Sequence, residues 1–169
     1  VAGFGKVAHY NQDPEYGFDH YDKRHTREVV AEYLEQRDSG KPLCLFVGAH
    51  APHVPWSTNA VYEPGEVTLP PTHVDTPETR LFRTFYYTDV SKGDQLLGEV
   101  RELAREHLGE NVFFIYSSDH GAQWPFGKWN LYDAGIRVGL ITSWPGVIQA
   151  GSKSDAMVSW VDILPTLIE

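Results

Sequence analysis

Cysteine is almost absent from this sequence: Cys44 is the only one in 169 residues. One cysteine cannot form an internal disulfide, so cysteine usage leaves the redox compartment open. Cys44 lies in the apolar run PLCLFVGA, where we expect it to be a small, buried hydrophobic side chain. A nucleophilic thiol needs partial exposure and positive surroundings, and this run offers neither.

Long apolar runs and clustered positive charge are also missing. No stretch approaches the ~20 apolar residues that a transmembrane helix needs, so we predict no membrane span. The formal net charge is −9 and is spread along the chain. This distribution argues against a nucleic-acid partner, because phosphate backbones bind clustered Lys and Arg side chains. An anionic substrate would have to be held by local cations.

The chain lacks an initiator methionine and ends inside the apolar segment VDILPTLIE. We therefore expect an internal fragment, with any targeting segment upstream of Val1. With 169 residues, of which 41% are hydrophobic, the chain is long enough for one domain with a core. The sequence does not indicate an oligomeric state.

Helical and strand patterns alternate along the chain. Residues 26–37 place apolar side chains on one helical face, and a long helical pattern runs from Pro77 to Gly109. Leu43–Ala49, NVFFIYSS and VGLITSW are apolar runs of strand length. This order predicts an α/β fold, with a largely parallel central sheet covered by helices on both faces.

Polar clusters directly follow two of these predicted strands. HAPH follows the first and SDHG follows the second. Ligands of open α/β sheets gather at the carboxyl ends of the strands, so we expect both clusters at the same edge.

Asp119 and His120 are the candidate metal ligands. A carboxylate suits calcium or magnesium, whereas the imidazole would also favour zinc or manganese. A turn-forming Asp beside a solvated His is the alternative interpretation of so short a motif.

His50 and His53 flank Pro52, and Pro55 follows, so they do not lie one helical turn apart. A rigid turn can aim one imidazole at a leaving-group oxygen as a proton donor, although one capping and one exposed histidine would also fit.

Lys6 and His9 can supply a cation and a proton carrier, or Lys6 can be an ordinary surface lysine. Lys128 lies among Trp124, Phe126 and Trp129. These aromatic side chains can exclude solvent around a bound anion, pack in the interior, or stack on a sugar ring.

Five segments, in order, resemble the type I (formylglycine-dependent) sulfatases of the alkaline-phosphatase-like superfamily. They are GKVAHY, LFVGAHAPHVPW, FFIYSSDHG, GKWNLYDAGIRVGLITSWPGVI and SDAMVSWVDILPTLIE. The resemblance implies that residues 1–169 form the central and C-terminal part of the catalytic α/β domain. The segment bearing the nucleophile and the small C-terminal subdomain would then lie outside the chain.

The same resemblance implies the roles of individual residues. Lys6 and Lys128 would hold the sulfate oxygens, and His9 would contact the formylglycine hydrate. His53 would lie beside the leaving-group oxygen or nitrogen. These roles suit sulfate transfer, which needs neutralised oxygens and a proton for the leaving group.

Asp119 and His120 would complete a site for one calcium ion, with His120 where many members have Asn. No Cys/Ser-x-Pro/Ala-x-Arg motif occurs in the sequence, so the formylglycine is expected upstream. The 169 residues alone are therefore expected to be inactive, whereas the parent protein would be a sulfatase.

The implied substrate is a sulfated carbohydrate. The PFGKWNLY segment is similar to the sulfamidase (heparan N-sulfatase) branch, and GKVAH to iduronate-2-sulfatase-like members. The resemblance also implies a secreted, periplasmic or lysosomal protein. Two alternatives remain, namely a metal-dependent phosphodiesterase or phosphonate hydrolase of the same superfamily, and a non-catalytic glycan-binding pseudoenzyme.

Overall fold

The first strand carries the side chains around which the core forms. The computed structural model describes residues 1–7 and 16–169. Strand β1 (Ala2–Gly5) lies between β2 (His20–Asp22) and β3 (Leu45–Gly48), and it pairs with both in parallel. The predicted α/β class with a parallel sheet is confirmed.

Helices α1 (Arg27–Gln36) and α2 (Pro77–Leu108) pack against the alternate side chains of β1. Ala2 and Phe4 point to the same face of the sheet, because successive strand residues alternate between faces. The buried cluster on that face consists of Ala2, Phe4, Val30, Leu34 and Leu103. Burying a side chain such as Phe4 or Leu103 contributes about 1.5–3 kcal/mol, which ties both helices to the sheet.

The alternation of β3 explains why the expected burial of Cys44 is wrong. Leu45 and Val47 pack against the buried cluster. Cys44 and Phe46 have the opposite parity, and both are exposed. The apolar run PLCLFVGA thus contributes one face to the core, and the thiol lies on the other.

Helix α2 has the bounds that the sequence predicts. The Thr76 hydroxyl accepts a hydrogen bond of 3.1 Å from the Thr79 backbone N–H, and Pro77 occupies the first turn. Gly109 ends the helix with φ of 77°. In the described ranges 1–7 and 16–169, no helix combines the length and apolar character needed to cross a membrane.

A second sheet pairs β4 (Phe114–Ser117) with β5 (Leu140–Ser143) in antiparallel orientation. Both strands were predicted, but not their antiparallel pairing. Between them lies one short helix, α3 (Asp133–Ile136). A parallel pair needs a longer crossover, usually through a full helix. After β5, a 3-10 turn at Trp160–Asp162 leads into α4 (Ile163–Ile168).

Residues 60–76 form a surface excursion between β3 and α2, and contacts from Arg80 of α2 hold it in place. The Arg80 guanidinium donates to the backbone carbonyl oxygens of Pro64 and Val67 at 3.1 and 3.3 Å. It also forms an ion pair with Asp75 at 2.6 Å. Val67 is only 4% exposed, so the excursion has its own anchor in the interior.

Replacing Asp89 with alanine is expected to lower the free energy of unfolding by about 1–3 kcal/mol, because it leaves polar partners unpaired. Asp89 is buried, and its carboxylate accepts hydrogen bonds from the Ser57 backbone N–H (3.1 Å) and the Lys92 ammonium (3.0 Å). Urea denaturation measures the change. Asp94→Ala, at an exposed position of the same helix, is the control and should change stability little.

Acid unfolding offers a second test of the Asp89 contacts. Burial raises the pKa of Asp89, but hydrogen bonds from Lys92 and Ser57 outweigh it, and the pKa is lowered from 3.8. The stabilisation is therefore complete above pH 3.8 and is lost as the pH falls through the lower folded-state value. An unchanged acid-unfolding curve in Asp89→Ala would contradict this assignment.

Candidate active site

Lys6 lies beside the end of β3 because neighbouring parallel strands end at the same edge of the sheet. Its backbone N–H donates to the Gly48 carbonyl oxygen at 2.8 Å. This close approach requires glycine, because a Cβ on Gly48 would lie 2.2 Å from the Lys6 carbonyl oxygen. The sheet thus brings Lys6 next to the segment that carries His50 and His53. His9 lies outside the described residues.

The histidines occupy a tight turn, as the flanking prolines predict. The His53 backbone N–H donates to the His50 carbonyl oxygen at 2.9 Å, and the two ring centroids are 5.1 Å apart. The pKa of His50 is lowered, first by partial burial of the ring and then by the charge of Lys6. His50 is therefore a neutral imidazole at neutral pH, able to donate one hydrogen bond and accept another.

His53 meets Lys128, which is 75 positions away in the sequence, with 3.3 Å between its Nε2 atom and the lysine Nζ. Its other nitrogen, Nδ1, lies 2.6 Å from the Val54 carbonyl oxygen. A carbonyl oxygen only accepts, so Nδ1 carries the proton that forms this bond. In the neutral ring, Nε2 then has a lone pair that accepts from the Lys128 ammonium.

A compact loop after β4 presents Lys128. The Ala122 carbonyl oxygen accepts hydrogen bonds from the backbone N–H groups of Trp124 (2.8 Å) and Lys128 (2.9 Å). A Cβ on Gly127 would lie 2.1 Å from that same oxygen. Phe126 and Trp129 have φ of 63° and 69°, a left-handed conformation that side chains other than glycine seldom adopt. The loop therefore holds Lys128 at an energetic cost, a feature common at functional sites.

The aromatic residues around Lys128 divide between two roles. Trp124 stacks on Trp56 and on His73, with 5.0 Å between ring centroids in both pairs. Through these contacts, Trp124 packs the loop against Trp56 and His73. Trp129 is 79% exposed, and its ring lies 5.3 Å from the Lys128 Nζ atom. Of these two tryptophans, only Trp129 has a ring face left for a ligand.

Asp119 and His120 lie at the end of β4, with 3.3 Å between the Asp119 Oδ2 and His120 Nε2 atoms. The His120 Nδ1 atom donates to the Gly121 carbonyl oxygen at 2.8 Å. Nε2 of the neutral ring therefore points a lone pair towards the carboxylate. Two electron-rich atoms at this separation suit a shared cation; the Asp119 side chain is exposed and that of His120 is partly exposed. Among residues 1–7 and 16–169, no cluster of three or more His, Cys, Asp or Glu residues is arranged to hold a metal.

The two polar clusters follow strands of two different sheets, contrary to the expectation that they share one sheet edge. HAPH follows β3 in the three-stranded sheet, whereas SDHG follows β4 in the two-stranded sheet. They do not project from one common sheet edge. The loop carrying Lys128 makes the connection, through its contact with His53.

Sequence reasoning missed a cavity of about 520 Å³ beside the histidine turn. Its walls include His25, His50, His53, Ser57, Asp89 and Lys92. Asp89 and Lys92 are three residues apart in α2, and this spacing on a helix was the one available signal. Their approach to His50 depends on packing between distant segments, which no local pattern reveals.

Comparison with known proteins identifies the chain's relatives. The family model described as Sulfatase matches residues 2–169. The chain is 30% identical to an ulvan-active sulfatase of Formosa agariphila over 145 residues, which cover 84% of this chain and 28% of the relative. It is 29% identical to human N-sulphoglucosamine sulphohydrolase over 168 residues, which cover 83% of this chain and 33% of the relative.

A shorter match of higher identity occurs with human arylsulfatase K. It is 37% identical over 97 residues, covering 54% of this chain and 18% of the relative. The chain therefore spans a third or less of the length of these three relatives.

Proposed function

The chain belongs to the sulfatase family, and from this premise we propose that it forms part of a hydrolase of sulfuric esters or N-sulfates that acts on a sulfated glycan. The contact between Lys128 and His53 carries this proposal. It joins a cation, suited to a sulfate oxygen, to an imidazole suited to a leaving group. Two relatives whose names refer to ulvan and to N-sulphoglucosamine support a carbohydrate substrate.

In this proposal, Lys6 and Lys128 neutralise the sulfate oxygens. Both lysines neighbour the histidine turn, Lys6 through its charge on His50 and Lys128 through direct contact with His53. Fixed cations around the sulfate stabilise the charge that develops on its oxygens in the transition state. This arrangement also suits an acidic protein, in which local cations must attract the anion.

In this proposal, His53 donates a proton to the leaving group. Its Nδ1–H is held by the Val54 carbonyl oxygen, so Nε2 is the atom that exchanges a proton. The Lys128 ammonium donates a hydrogen bond to Nε2 and can transfer a proton to it. A proton passed from this pair to the departing oxygen or nitrogen avoids the release of an unstable anion. The proposed formylglycine nucleophile, which His9 would contact, lies outside the 169 residues.

Asp119 and His120 would hold part of a calcium site. The carboxylate is a preferred calcium ligand, and the 3.3 Å between Oδ2 and Nε2 allows both atoms to face one ion. When bound, the ion would supply positive charge that stabilises the sulfate oxygens. We also propose a secreted, periplasmic or lysosomal location, as the family resemblance implies.

Sulfate release by the intact protein, as its gene encodes it, tests the proposed function. Sulfated mono- and oligosaccharides are incubated with the protein, and free sulfate is measured by ion chromatography. We expect release from at least one sulfated sugar and none from phosphodiesters. Cleavage of phosphodiesters alone would favour the phosphodiesterase alternative. Glycan binding without any release would favour the pseudoenzyme.

Replacing Asp119 with asparagine is expected to weaken calcium binding by about tenfold or more, because calcium prefers charged oxygen ligands. Isothermal titration calorimetry with calcium alone measures this change independently of activity. Asp155→Asn, at an exposed loop position, is the matched control. Wild-type calcium affinity in Asp119→Asn would remove Asp119 from the metal site, and two bound zinc or manganese ions would favour the phosphodiesterase alternative.

A further inference from the structure

A cavity of about 520 Å³ lies between the start of α1, the turn that holds His50 and His53, and the middle of α2. We call it the α1–α2 cavity. Its volume lies within the ~300–1,000 Å³ that is usual for sites binding small molecules. It adjoins the residues proposed for sulfate transfer, so a molecule bound in the cavity would lie next to the reacting sulfate.

His53 links the α1–α2 cavity to Lys128. It is one of the residues that line the cavity, and its Nε2 atom lies 3.3 Å from the Lys128 Nζ atom. A sulfate held by Lys128 would therefore direct the rest of the substrate past His53 into the cavity. We propose that the α1–α2 cavity binds the sugar of the leaving group and rejects a second anionic group, sulfate or carboxylate, on that sugar. This inference rests on the proposed function.

The two cations in the cavity wall are already paired. The Lys92 ammonium contacts the Asp89 carboxylate at 3.0 Å and also donates to the Ser57 hydroxyl. The Arg27 guanidinium contacts the Glu106 carboxylate at 3.3 Å. Among the described residues that line the cavity, no lysine or arginine remains for an added anion.

Carboxylates outnumber lysine and arginine side chains in the cavity wall. Glu28, Asp89 and Glu99 line the cavity, against the two cations Arg27 and Lys92. The Glu99 carboxylate accepts a hydrogen bond of 2.8 Å from the neutral Gln95 amide, and Glu99 takes part in none of the ion pairs found among the described residues. A second sulfate in this space would be repelled, because its charge has the same sign as that of the neighbouring carboxylates.

Uncharged groups of a sugar suit the same wall. His50 is a neutral imidazole, and Ser57 has a hydroxyl hydrogen that it can donate while its oxygen accepts from Lys92. Sugar hydroxyls can donate to the first and accept from the second. The charge pattern and the hydrogen-bonding groups thus favour a sugar whose only anion is the sulfate to be removed.

Two substrates and two variants test this inference in the intact protein. The substrates are the monosulfated monosaccharide with the highest kcat/KM in the sulfate-release panel and its disulfated counterpart. We expect kcat/KM to be about tenfold lower for the disulfated sugar, as one unfavourable charge contact predicts. Glu99→Lys, which places a cation in the cavity wall, should reduce this preference by about tenfold.

Glu102→Lys is the matched control, because it makes the same charge change at an exposed position of α2 outside the cavity wall. It should leave the preference as in the wild type. Equal kcat/KM values for both sugars in the wild type, or equal effects of the two variants, would overturn the α1–α2 cavity assignment alone. Sulfate release from neither sugar, by protein with a normal unfolding transition, would contradict the proposed function and this inference together.

Discussion

Lys128→Ala is expected to lower kcat for sulfate release by about a hundred- to a thousandfold, the usual cost of removing a charge-stabilising donor. The substitution removes a proposed cation for the sulfate. It also removes the ammonium that faces His53 Nε2 at 3.3 Å, and with it the proposed proton supply to the leaving group. Both effects act mainly in the transition state, so kcat should fall more than KM rises.

Lys153→Ala provides the control, since Lys153 is an exposed lysine with the same charge. Steady-state kinetics of both variants, with thermal unfolding to verify the fold, separate catalysis from stability. Turnover within threefold of the wild type in a folded Lys128→Ala protein would remove Lys128 from the mechanism.

Gly121→Ala is expected to lower the free energy of unfolding by about 3 kcal/mol or more, because the added methyl group meets backbone that cannot move aside. Its Cβ would lie 1.8 Å from the Ala134 carbonyl oxygen. The Gly121 backbone N–H also donates to the Gly135 carbonyl oxygen at 2.9 Å. Relief of the clash would break this contact and displace the adjoining His120 and the loop that carries Lys128.

Gly98→Ala is the matched substitution, and it is expected to raise the free energy of unfolding. Gly98 lies inside α2, and a Cβ there would meet nothing within 4 Å. Alanine should therefore stabilise the protein by about 0.5–1 kcal/mol, because glycine loses more backbone entropy on folding. Urea denaturation compares the two variants. A Gly121→Ala protein as stable as Gly98→Ala would show that the loop can rearrange.

Local patterns were sufficient for most helices and strands. The helix from Pro77 to Leu108 was predicted from its apolar period and from Pro77 and Gly109 at its ends. It continues through Gly93 and Gly98 because tertiary packing outweighs the weak helix propensity of two glycines. The short apolar runs identified β3, β4 and β5, because runs of this length bounded by turn residues favour strands.

Burial and strand direction were harder to predict from the sequence. Cys44 was expected inside, but an apolar run does not tell which of its two faces the helices cover. The orientation of β5 likewise depended on the path of residues 118–139, which contain only a four-residue helix. These features arise from packing between segments.

The sequence by itself determined the family, the succession of helices and strands, and the chemical types at the candidate site: two lysines, histidines after a strand, and Asp119 beside His120. Only the tertiary structure decided which of them meet. His53 reaches Lys128 across 75 positions, Trp124 packs while Trp129 stays exposed, and α2 closes a cavity beside the histidine turn. The physical reason is that helix and strand patterns report on near neighbours, whereas a site joins side chains whose separation depends on the whole path of the chain.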